Sequence, residues 1–117
     1  MLKVFVANND RFYAIRVYER NTLLYCISGE DDTPLAGHID MLALTEALES
    51  LEKQESKVYV TSDYSYGTMK GDDHRKNRDL HKRCMSAINR KITIEKGRLE
   101  DRRMRMTLKM LNRHCNK

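Results

Sequence analysis

Lys57-Val58-Tyr59-Val60-Thr61-Ser62-Asp63 is a β-branched run that ends on a carboxylate, and upstream of it Gly37-His38-Ile39-Asp40 opens a stretch of helical periodicity. A strand that delivers an acid at its carboxyl end, after a crossover helix carrying a second acid, is one way for an α/β domain to build a divalent-metal site. The rest of the chain is read outward from these two acids.

From His38 to Lys53, Leu44, Ala47, Leu48 and Leu51 recur at helical spacing, with Glu46, Glu49, Glu52 and Lys53 facing away. Before this helix, residues 2–7, 11–18 and 22–28 are three short β-rich runs separated by Asn8-Asn9-Asp10 and Glu19-Arg20-Asn21, the pattern of an antiparallel meander. In the second run Tyr13, Ile15 and Val17 alternate with Phe12, Ala14 and Arg16. One apolar and one mixed face predict a sheet covered mainly on one side. A helix and then a strand after the meander make a crossover, so the strand from Lys57 should pair parallel to the first strand with right-handed topology.

Beyond Asp63, Tyr64-Ser65-Tyr66-Gly67 reads as a turn or short helix, and residues 70–78 contain no apolar side chain. A helix is predicted from about Asp79, with Leu80, Cys84, Ala87 and Ile88 on one face. Residues 91–95 form a fifth strand, and a last helix runs from about Glu100 with Met104, Leu108, Leu111 and Cys115 as its stripe. The reading is a single α/β domain over residues 1–117, with a mixed five-stranded sheet in the order 3-2-1-4-5 flanked by helices.

The 117 residues, 40% of them apolar, are enough for a core without disulfides or a structural metal. Charge is uneven: residues 1–56 hold 5 Lys and Arg against 10 Asp and Glu, and residues 57–117 hold 17 against 7. The basic half points to a polyanionic partner, nucleic acid before membrane, or else to a solvated face. Cys26, Cys84 and Cys115 are odd in number and scattered, which suits reduced thiols in an intracellular, cytoplasmic chain. The four histidines lack zinc spacing, no run is long enough to span a membrane, and the opening residues do not read as a signal peptide.

Taken in order, Val4-Phe5-Val6, Tyr13-Ala14-Ile15-Arg16-Val17-Tyr18, Ile39-Asp40-Met41-Leu42-Ala43-Leu44, Val60-Thr61-Ser62-Asp63, Asn77-Arg78-Asp79-Leu80 and Ile92-Thr93-Ile94-Glu95-Lys96-Gly97 resemble the successive motifs of a ribonuclease H domain. The resemblance implies a site in which four carboxylates hold two Mg²⁺ or Mn²⁺ ions, which activate a water and stabilise the leaving oxygen. It assigns the second and third carboxylates to Asp40 and Asp63, and the fourth to Asp101 with Glu100 as substitute. At the first position, where the family has an aspartate, the chain reads Val6-Ala7-Asn8-Asn9, so Ala7 marks a departure. Loss of catalysis in the natural chain, compensation by Asn8 or Asp10, and an engineered replacement all remain open.

Each acid also has a plainer reading: Asp63 as a turn cap, Asp40 as a first-turn helix acid, and Asn8-Asn9-Asp10 as hairpin chemistry. Lys70, Arg75, Lys76, Arg78 and Arg98 are the candidate nucleic-acid contacts, with Lys82 and Arg83 on the following helix face. Tyr64 and Tyr66 could stack on a base or sugar. Met104, Met106 and Met110 suit adaptable packing, with a partner chain or a second copy as one occupant. The resemblance implies a metal-dependent endonuclease cutting the RNA strand of RNA/DNA hybrids, impaired at Ala7. The alternatives are an inactive module of the same fold that binds nucleic acid or a protein, and an accessory subunit.

Overall fold

The computed structural model describes residues 1–34, 37–61, 75 and 77–115. Its elements are β1 (Leu2–Asn8), β2 (Phe12–Glu19), β3 (Thr22–Glu30), α1 (His38–Ser50), β4 (Ser56–Val60), α2 (Arg78–Ala87), β5 (Ile92–Lys96) and α3 (Arg102–Cys115). The five strands form one mixed sheet in the order β3-β2-β1-β4-β5. β1 pairs antiparallel with β2 and parallel with β4, which pairs parallel with β5. Val6, Val60 and Lys96 therefore stand level across the three parallel strands.

The β1–β2 turn is held by Asn9, whose Oδ1 accepts from the amides of Arg11 at 2.9 Å and Phe12 at 2.8 Å. This is the local bonding that makes Asn a turn residue. Helix α1 begins after Gly37, which takes φ 73°, a left-handed conformation open to glycine without strain. It ends at Ser50, three residues before the predicted end, because Glu52 and Lys53 adopt φ 50° and 63° and turn the chain into β4.

Contrary to the one-sided sheet predicted above, both faces are covered over β1 and β2. Leu2, Val4, Val6, Ile15 and Val17 face α1 and α2, packing with Leu44, Ala47, Leu48, Leu51, Leu80 and Cys84. On the other face Phe5 and Tyr18 are buried with Met104, and Ala7 and Ala14 with Leu111. Ala7 and Ala14 are cross-strand partners and both are fully buried. Two methyl side chains side by side let α3 sit close to the sheet, so the mixed face of β2 becomes a second, tighter core. Met104 is wholly buried in this chain's own core and is not presented to a partner. β3 is one of the two edge strands, with Leu23, Leu24 and Cys26 exposed.

Across the first face α1 and α2 are clasped by Arg83, which donates to Glu49 at 2.6 and 3.3 Å and to Glu46 at 3.4 Å. Arg83 is thus committed within the chain, although its position suggested a substrate contact. These pairs raise the guanidinium pKa, with the Glu49 hydrogen bond the largest cause.

Candidate active site and its remodelled carboxylates

The parallel β1–β4 pair directs both carboxyl ends to the same edge of the sheet, and the Thr61 amide continues the ladder by donating to the Val6 carbonyl at 3.2 Å. One step beyond, the Asn8 side chain leaves β1 on the side of α1. Its Nδ2 donates to Asp40 Oδ1 at 2.9 Å and to the Asn9 carbonyl at 3.2 Å. Asp40, in the first turn of α1, is half-buried. The contact requires a donor at position 8, which a carboxylate is not. A carboxylate at position 8 would face Asp40 as a like charge and would need a cation or a proton between them.

Strand periodicity corrects the expected geometry at Ala7. Side chains alternate between the two faces of a strand, so Leu2, Val4, Val6 and Asn8 point toward α1, whereas Phe5 and Ala7 point toward α3. Ala7 therefore lies under Leu111 on the far face and does not stand beside Asp40. The residue that meets Asp40 is Asn8.

Asp101 is not brought to Asp40 either. After Lys96 the chain turns back, with the Gly97 amide bonded to the Val60 carbonyl at 2.8 Å, and Asp101 comes to lie in a depression with Lys3, Phe5 and Tyr59 on the α3 face. Its carboxylate accepts from the amide of Arg103 at 2.8 Å and from the guanidinium at 3.2 and 3.0 Å. The Arg103 hydrogen bond is the main reason its pKa falls below the usual carboxylate value. Arg103 also lies over the Phe5 ring at 4.9 Å, in a cluster where Phe5 stacks on Tyr59 and meets Tyr18 edge-on. Asp101 is thus a structural partner at the start of α3. Glu100, the substitute, is exposed on the same turn. α3 then runs so that Leu111 covers Ala7 and Cys115 accepts from Asn9 Nδ2 at 2.8 Å. The part of α3 nearest the carboxyl end of β1 carries no acid.

Asp63 lies outside the described residues, as do Lys70, Lys76, Tyr64 and Tyr66. Arg75 and Arg78 share a depression with His38, Asp31, Asn77 and Arg83, two residues along α1 from Asp40. There His38 Nδ1 is 2.7 Å from Asn77 Oδ1, and its Nε2 is 3.6 Å from Asp31. Asp31 is held below its ordinary pKa chiefly by its hydrogen bonds with Thr33. Arg98 belongs to the Asp101 depression on the opposite face, away from Arg75 and Arg78. Among the described residues no three His, Cys, Asp or Glu side chains come together as metal ligands. Among the described residues, Asp40 meets an amide N–H rather than a second carboxylate, which is not the donor set that holds two Mg²⁺ or Mn²⁺ ions.

No protein-family description and no curated protein sequence matches the chain. Solved structures do. It is similar to the N-terminal RNase H domain of a Mycobacterium tuberculosis protein, with TM-score 0.68 and 16% identity over 96% of both chains. It is also similar to RNase H1 from the halophilic archaeon Halobacterium salinarum, with TM-score 0.63 and 11% identity over 98% of this chain and 96% of that one. The chain has a ribonuclease H-like fold. A Bacteroides thetaiotaomicron protein with an actin-like ATPase fold and unknown function matches at TM-score 0.50 and 16% identity, with 92% of this chain laid on 36% of that one. The ribonuclease H-like sheet order and the crossover helix carrying Asp40 are those expected from the sequence. Among the described residues, no helix is long and apolar enough to cross a membrane.

Proposed function

We propose that the chain is a ribonuclease H-fold module that binds the backbone of RNA/DNA hybrid or duplex nucleic acid and does not cut it by the two-metal route. The observation that carries this reading is the 2.9 Å hydrogen bond from Asn8 to Asp40. In two-metal hydrolysis, carboxylates from neighbouring elements share cations that activate water and stabilise the leaving oxygen. Here the Asn8 amide donates to Asp40 at that place, and Asp101 is paired with the Arg103 guanidinium. Both carboxylates accept hydrogen bonds from side chains of the chain itself.

Binding is supported by the formal net charge of +5 and by Arg75 and Arg78 at the depression beside the start of α1. Contacts to phosphate and to the shape of an A-like duplex need no base-specific side chains. The test is fluorescence anisotropy with a labelled RNA/DNA hybrid across a range of KCl concentrations. The expected result is binding of unrelated sequences with equal affinity, weakening steeply with salt and unchanged between EDTA and Mg²⁺. Absence of binding at low salt would overturn the reading. The competing reading, a working metal-dependent endonuclease, requires cleavage in Mg²⁺ or Mn²⁺.

A further inference from the structure

α3 carries a feature that neither the carboxylate end nor the fold requires. From Arg102 to Cys115 it holds five Lys and Arg residues and no acid. Arg102, Arg105, Lys109 and Arg113 are exposed and spaced by three, four and four residues, so they form one stripe along the solvent side. Helix stability accounts for Arg113, which complements the macrodipole in the last turn, but not for the rest of the stripe: Arg102 and Arg105 at the start oppose the macrodipole, and no acid lies four residues away within the helix to pair with them.

The stripe borders a groove. Two adjoining depressions of about 650 and 260 Å³ share Arg16 and Met106 and run between α3 and the uncovered side of β3. Arg16, Arg102, Arg103, Lys109 and Arg113 line them, against one carboxylate, Asp101, that Arg103 already engages. At one end Nε2 of His114 has no hydrogen-bond partner among the described residues. The groove is on the face of the sheet opposite α1, α2 and the Arg75 and Arg78 depression.

We infer that this α3–β3 groove is a second nucleic-acid surface, which tracks one phosphodiester strand through Arg102, Lys109 and Arg113. The inference rests on the proposed nucleic-acid-binding function and assigns it a place. The 11 residue steps from Arg102 to Arg113 rise roughly 16 Å along the helix, and phosphates of one strand recur about every 3.4 Å of duplex axis, so the stripe faces about five of them. Guanidinium groups favour phosphate through paired hydrogen bonds, which suits a stripe that is mostly Arg. An acidic peptide offers the same sign of charge without that regular spacing.

The experiment compares the full chain with the variant Arg102→Ala, Lys109→Ala, Arg113→Ala and with Arg75→Ala, Arg78→Ala, each titrated with a labelled RNA/DNA hybrid from 50 to 300 mM KCl. The triple sites are exposed and Ala favours helix, so circular dichroism should be unchanged. Three phosphate contacts contribute about 0.9 each to the slope of log affinity against log salt. The triple variant should therefore flatten the slope by about 2.7 and lose at least tenfold in affinity at 100 mM. If the parent chain binds and the triple variant binds with the same slope, the groove assignment is wrong while the nucleic-acid reading stands. Should the parent chain bind no hybrid, both fall. Competition by poly-glutamate equal to that by unlabelled hybrid would show a general polyanion surface and would also overturn the assignment.

Discussion

Replacing Asn8 with Asp changes the Asn8–Asp40 contact by a single atom type and converts a hydrogen bond into a like-charge pair. The bond to the ionised acceptor contributes about 1.5–3 kcal/mol. Two carboxylates at about 4 Å repel by about 4 kcal/mol at an effective dielectric constant of 20, and partial exposure of both side chains reduces that. A net loss of about 2–4 kcal/mol is expected at pH 7 without metal. For a domain of this size it lowers Tm by about 4 °C per kcal/mol, or roughly 8–16 °C. The sign with pH follows from the pair. Repulsion raises one carboxylate pKa in the folded state above its unfolded value, so the penalty is absent below about pH 4 and grows as pH rises. Asn8→Ala, which removes the bond without adding charge, should cost about 1.5 kcal/mol, the low end of that range for a partly exposed contact, and show no such pH dependence. Millimolar Mn²⁺ should recover part of the Asn8→Asp loss, because a cation can replace the missing proton. Thermal melts followed by circular dichroism at pH 4 and pH 7, with and without Mn²⁺, measure all of this. A variant that melts within about 2 °C of the parent at pH 7 and ignores Mn²⁺ would refute the contact and the reasoning built on it.

Ala7→Asp is expected to behave differently. Ala7 is fully buried between Ala14 and Leu111, so a carboxylate there is unpaired and desolvated, and urea unfolding should show a loss of about 3–5 kcal/mol that Mn²⁺ does not relieve. Asp101→Asn should lower stability by about 1 kcal/mol at neutral pH, the partly exposed pair with Arg103 being screened by solvent. Because Arg103 depresses the Asp101 pKa, that stabilisation is present above the ordinary carboxylate value and lost as pH falls through the folded one; urea titrations should bring variant and parent together at low pH.

The topology was legible because period-two runs, turn residues and one amphipathic helix leave little choice once a right-handed crossover is imposed. The site was legible only in part. Asp40 could be placed from its position at the start of α1, but its partner was assigned one residue too early. A one-residue step along a strand moves a side chain to the opposite face. The signal was available in Leu2, Val4 and Val6, whose alternation continues to Asn8. The mixed face of β2 looked solvated because Arg16 and the small Ala14 hide a tight contact with α3, and small residues read alike in a loose surface or a close helix seat. Asp101 was misplaced for a longer-range reason. The short turn after β5 sends the chain back along the sheet, and the start of α3 meets Phe5 and Tyr18 before its end reaches Ala7. Spacing in the sequence does not reveal that path.

The most direct measurement is a single gel experiment: the full chain incubated with an RNA/DNA hybrid labelled on the RNA strand, in EDTA, Mg²⁺ or Mn²⁺, and run under both native and denaturing conditions. The account expects a salt-sensitive mobility shift in all three lanes and intact RNA in each. RNA fragments that appear only with metal, and vanish in Asp40→Asn, would contradict it.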